Sequence, residues 1–279
     1  METLELRDPV YGTEAVGNKL ENLVSEKIGI FVPMAETDMD HDVGVMFKYQ
    51  ARKGVLKCFG NDEASKPYLD SYFVKIDILK TLHSKYKSIG KGIKFDFVFI
   101  DRLDYMNLTG QTGIPTTAGK LLYFIATPID NSDNPANEHY VIFNLDHDFV
   151  LENDMIDGSI LENLVGNYKA EKAFTDMAAY SHPVVPTYHV YYTWDDIHDI
   201  FTETNSKGQL YDSLKFIPGE VIEFAVIVQH FKDTGYDFAE DDYKEAYLKH
   251  EKRLTILGMY MPDDKKEKEG YFDMGSLYP

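Results

Sequence analysis

The sequence predicts an α+β fold, a mixed and largely antiparallel sheet with flanking helices, in one domain over residues 1–261 followed by a tail over 262–279. Three observations carry that prediction. Aromatic-rich runs of strand character recur at 94–101, 120–127 and 139–150, and a turn segment rich in Asp, Asn, Ser and Pro joins the last two as a hairpin would. Helical stripes fall between such runs without the regular strand and helix alternation of a parallel sheet. No internal repeat, heptad array or Pro/Gly/Ser linker divides the 279 residues.

Taken in order, Thr13 caps a predicted helix whose apolar positions Val16, Leu20, Leu23, Val24 and Ile28 step by three and four until Gly29. Residues 30–32 read as a strand, 36–42 as an acidic loop and 43–49 as a second strand. Over 67–89, Leu69, Tyr72, Phe73, Ile76, Leu79, His83 and Tyr86 form one helical stripe ending at Gly90. Val74, Ile76 and Ile78 alternate with Lys75 and Asp77, so a strand competes there, and the helix is preferred. The loop over 107–117 contains Gly110 and Gly113 but lacks the Lys-Ser/Thr of a phosphate-cradling loop.

The second half predicts helices at 158–165 and 168–180 and a strand at 187–193. Thr193 then caps a helix with Asp196 as its reciprocal partner. The apolar run Phe224 to Val228 reads as a central buried strand over 220–229. A closing helix is expected over 237–257, with Asp237 and Glu240 as its capping pair and Gly258 as its stop.

Composition narrows the function classes. The formal charge is −19, and the four arginines, Arg7, Arg52, Arg102 and Arg253, form no cluster, so phosphate backbones and anionic lipid are expected to be repelled. Protein subunits, copies of the same chain among them, are the expected partners. Cys58 is the only cysteine, which rules out an internal disulfide. The first residues lack the features of a secretory signal, and no stretch approaches the roughly 20 apolar residues of a membrane span. Cytoplasmic synthesis is the expectation.

Two acidic motifs bear on chemistry. Asp38, Asp40 and Asp42 have the two-residue spacing of calcium-loop ligands, yet Val43 and Tyr49 stand where such a loop needs glycine and glutamate. A solvated loop is expected, with a Mg or Ca site as the alternative. Asp146-His147-Asp148-Phe149-Val150 follows the apolar Val141-Ile142-Phe143 and resembles the first motif of haloacid-dehalogenase-like phosphohydrolases. That resemblance implies a magnesium-dependent enzyme with Asp146 as nucleophile, Asp148 as acid and base, Thr193 as the phosphate-binding hydroxyl, Lys207 or Lys215 as the cation, and Asp241 with Asp242 as late metal carboxylates. The pattern departs from the family at Asn144-Leu145 and at Phe149, and Asp241 and Asp242 fall in the first turn of the predicted closing helix.

His182, His189 and His198 lie in one region without the helical spacing of a zinc motif, so structural roles are expected. The tyrosine-rich strand should place Tyr188, Val190 and Tyr192 on one face and His189 with Tyr191 on the other. The tail carries Tyr271, Phe272, Met274, Leu277 and Tyr278 after a charged spacer and reads as an interface element held by a neighbouring chain. The preferred expectation is therefore a non-enzymatic assembly protein, such as a virion component of a virus or phage particle. The phosphohydrolase is one alternative, and an acidic inhibitor of a basic protein is the other.

Overall fold

The computed structural model describes residues 41–59, 72–110, 112–113, 119–131, 137–142, 154–183, 185–205, 207–235, 244, 248–260, 271–273 and 276–278. The described elements begin with helix α1 (His41–Lys53) and a 3-10 turn (Val55–Phe59). Strand β1 (Tyr72–Lys75), helix α2 (Ile76–Tyr86), strand β2 (Gly90–Ile100), helix α3 (Arg102–Thr109) and strand β3 (Leu121–Asp130) follow. Two short strands, β4 (His139–Tyr140) and β5 (Met155–Ile156), precede helices α4 (Gly158–Ala170) and α5 (Lys172–Ser181). The rest comprises β6 (His189–Thr193), α6 (Trp194–Thr202), β7 (Ser213–Glu220), α7 (Phe224–Asp233), β8 (Leu254–Tyr260), β9 (Tyr271–Asp273) and β10 (Ser276–Tyr278).

Among the described residues every strand pair is antiparallel, and two sheets result: β1-β7-β8-β9 and β10-β6-β2-β3-β4-β5. The α+β prediction holds, with two sheets in place of one. Their inner faces meet through aromatic rings, Phe95 against Phe216 at 5.5 Å and Tyr72 against Phe124 at 4.8 Å between centroids. Each such ring, fully buried, contributes about 1.5–3 kcal/mol. One contiguous apolar core takes residues from both sheets and from α1, α2, α4, α6 and α7.

Several elements differ from the sequence prediction for identifiable reasons. The expected strand over 43–49 is part of α1, because Val43, Phe47 and Ala51 recur every four residues and all three are buried. The expected helix over 67–89 divides: Tyr72 to Lys75 pairs with β7, and the helix begins only at Ile76. The expected strand over 220–229 is helix α7, whose buried Phe224, Ile227, Val228 and Phe231 define a helical stripe inside the apolar run. Conversely, the end of the expected closing helix is strand β8, buried along its whole length, with Gly258 paired to Phe216 and Phe272 rather than stopping a helix. Strand β7 escaped prediction because it contains Pro218. That proline lies past the residues of β7 that pair with β1 and faces Ile256 of β8.

The tail also finds its partners within the chain. β9 pairs with β8, and β10 pairs with β6 through Leu277 opposite Val190 and Tyr278 opposite His189. The segment expected to lie on a neighbouring chain therefore supplies the terminal strand of each sheet. Met274 and the spacer over 262–270 lie outside the described residues.

Candidate functional site

Strand β2 begins with Gly90-Lys91-Gly92 and is apolar from Ile93 onward except for Lys94 and Asp96, which the strand period of two puts on one face. Register carries that polar face across the sheet. Thr127 of β3 lies opposite Lys94, His189 of β6 opposite Asp96, and His139 beside Thr127 on β4. Helix α4 covers the row, but Gly158 and Gly166 present no side chain there, and a cleft of about 700 Å³ remains. Its walls include Lys94, Asp96, His139, Glu162, Tyr188 and His189.

The buried carboxylate of Asp96 organises the floor. Its Oδ1 accepts from Lys94 Nζ at 3.0 Å, its Oδ2 lies 3.4 Å from the Thr127 hydroxyl, and His189 Nδ1 is 4.0 Å away. Thr127 Oγ1 is in turn 2.9 Å from His139 Nδ1. Such an array is costly to bury and is retained where every member is paired. Desolvation holds the His139 imidazole below its usual range against the pull of Asp96, and it takes His189 down to about 4. Both rings are therefore neutral at pH 7.

Positive charge gathers at the Tyr188 end. Lys169 Nζ sits 4.3 Å from the Tyr188 ring centroid. Arg253 is almost fully buried, yet its contacts are neutral: Nε donates to Thr187 Oγ1 at 3.2 Å, Nη1 meets His250 Nδ1 at 2.7 Å, and Nη2 has no hydrogen-bond partner. Burial lowers its pKa to about 10, so it stays charged, and its field reaches Tyr188 and His189. No carboxylate among the described residues pairs with this buried guanidinium, an unusual arrangement that calls for an anion nearby.

Asp38, Asp40, Asp146, Asp148, Asp241 and Asp242 fall outside the described residues, whereas Asp42 belongs to the first turn of α1. Thr193 uses its hydroxyl to accept Asp196 N–H at 3.1 Å, while Asp196 accepts Thr193 N–H at 2.6 Å, completing the predicted capping box. Lys215 lies over the Phe73 ring. His189 reaches the cleft, while His198 packs against His83 and Phe201 on the helical side of α2 and α6. Among the described residues no group of three or more His, Cys, Asp or Glu side chains is placed to hold a metal ion, and no helix is long and apolar enough to cross a membrane. Lys94, Asp96, Thr127 and His139 were not identified as site residues from sequence, although a charged pair inside an apolar strand is a usable signal.

Comparison with known proteins returned no match among family models, curated proteins or solved structures.

Proposed function

We propose that this protein binds a small hydroxylated organic anion, a sugar acid or hydroxy acid in chemical class, in the cleft between α4 and the polar face of the larger sheet. The observation that carries the reading is the polar row His189, Asp96, Thr127 and His139 across four strands of the larger sheet. The cleft has the size of a small-molecule site, and its neutral imidazoles and hydroxyls suit hydroxyl groups. Lys169 and the field of Arg253, which has no ion-pair partner among the described residues, suit the anionic end.

A thermal-shift and calorimetric screen of hydroxy acids and sugar acids, with neutral polyols as controls, tests it. An acid that raises the melting temperature of the wild type and has no effect on Lys169→Glu and His139→Gln supports the proposal. Equal responses from those variants, or no response from the wild type, would refute it.

Assembly remains a second reading, favoured by one observation: the tail forms the outermost strand of both sheets, and an outermost strand exposes an unpaired ladder edge. Copies of the chain can associate by exchanging that tail or by pairing along those edges. Native mass measurement on the full chain and on a chain ending at Met261 decides it. A multimer that becomes monomeric on truncation supports exchange, and a monomeric full chain excludes it.

A further inference from the structure

We infer that His139 is a general base, with its Nε2 lone pair directed into the cleft to accept a proton from a hydroxyl of the bound molecule. The inference rests on the ligand-binding reading above and deepens it. It begins with the Thr127 hydroxyl, which has one proton and two neighbours, Asp96 Oδ2 at 3.4 Å and His139 Nδ1 at 2.9 Å.

If that proton pointed at His139, the hydroxyl lone pairs would face a buried carboxylate oxygen with no hydrogen between them. In this water-poor setting such a contact is repulsive, whereas a hydrogen bond to a charged acceptor is about twice as strong as one to a neutral acceptor. The proton therefore belongs to the Asp96 side. Thr127 Oγ1 must then accept, and the imidazole donates to it from Nδ1–H. One tautomer follows: Nδ1 carries the hydrogen and Nε2 is bare.

The outer nitrogen is well placed. A Cβ built on Gly158 would lie 3.4 Å from His139 Nε2, and Gly158 lines the cleft, so this edge of the ring faces the opening that the glycine leaves. No described side chain hydrogen-bonds to Nε2. The groups whose charge bears on the ring are Asp96, Lys94, Asp157 and Glu162.

On proton transfer the ligand O–H bond breaks, its electron pair stays on oxygen, and an Nε2–H bond forms. The resulting imidazolium still donates its Nδ1–H to Thr127 Oγ1, whose own hydroxyl donates to Asp96 Oδ2, so the new positive charge is stabilised along the chain by a carboxylate. Lys94 and Lys169 border the same cleft and offset the developing oxyanion. Thr127 and Asp96 are positioning residues, and only His139 touches the proton that moves.

Long-range proton–nitrogen NMR on the labelled full chain, with the His139 ring assigned by its disappearance in His139→Gln, tests this without any ligand. At pH 7 the wild type should show Nδ1 protonated and Nε2 pyridine-like. Thr127→Val should move the hydrogen to Nε2, and Thr127→Ser should restore the wild-type pattern. A protonated Nε2 in the wild type would overturn the inference even if Thr127→Val failed to fold, and it would leave ligand binding intact. Failure of the ligand screen would remove the binding reading while leaving the tautomer result unaffected.

Discussion

Glu220 provides the strongest test of how the two sheets are tied to the first helix. Its side chain is fully buried at the end of β7, where Oε2 accepts Val55 N–H at 2.6 Å and Oε1 accepts the Tyr180 hydroxyl at 2.7 Å and Gln50 Nε2 at 3.3 Å. α1, the 3-10 turn, α5 and β7 thus converge on one carboxylate. Glu220→Ala leaves the Val55 amide without an acceptor inside the protein, a loss of about 1–3 kcal/mol, and the bond from Tyr180 adds about 1.5 kcal/mol. Burial raises the carboxyl pKa against these three bonds, so part of the penalty of holding a charge there disappears with the substitution.

The net expectation is a loss of about 3 kcal/mol for Glu220→Ala and about 1–2 kcal/mol for Glu220→Gln, which keeps the volume and one acceptor. Urea unfolding monitored by the single tryptophan, buried Trp194, reads both. An alanine variant within about 0.5 kcal/mol of the wild type, the ordinary range for inert surface changes, would show that these bonds do not hold the elements together.

Glycines give a matched pair of predictions. A Cβ on Gly92 would lie 1.9 Å from the Tyr192 carbonyl oxygen across the β2–β6 ladder, so Gly92→Ala should destabilise by about 3 kcal/mol. Gly166 has open space around it inside α4, and Gly166→Ala should stabilise by about 0.5–1 kcal/mol in the same urea assay. Histidines set an acid limit. His189 and His250 are both held down to about 4 by burial, below the unfolded value near 6.5, so the unfolded chain binds more protons between those values. Stability should be fully present above pH 6.5 and fall by about 1–3 kcal/mol per histidine as pH drops towards 4, and a His189→Gln variant should lose part of that slope. A chain ending at Met261 lacks β9 and β10, and differential scanning calorimetry should show a lower melting temperature than for the full chain.

The sequence was readable where burial fell on one face or a cap was spelled out. The Thr193–Asp196 box and the shared face of Val190 and Tyr192 match the expectation, since capping and alternation are local signals, and β2 and β3, though buried almost throughout, are marked by their aromatic-rich runs. It misled where burial erased the period and no aromatic-rich run marked the element. β8 is buried at every residue, so its strand period leaves no trace, and the apolar run at the start of α7 masks a helical stripe. Pro218 concealed β7, because only the register shows that it lies beyond the end of β1. The cleft was hidden for a different reason. Asp96, Thr127, His139 and His189 are spread over 94 positions of sequence, and only antiparallel pairing brings them into one row.

The most direct test of the account is a titration of the histidine-labelled protein with the best acid from the ligand screen, followed by the imidazole resonances. The account predicts that His139 and His189 shift together and saturate at one concentration while His83 and His198, packed against each other away from the cleft, stay still. Shifts confined to His83 and His198, or a saturating ligand that leaves His139 unmoved, would contradict it.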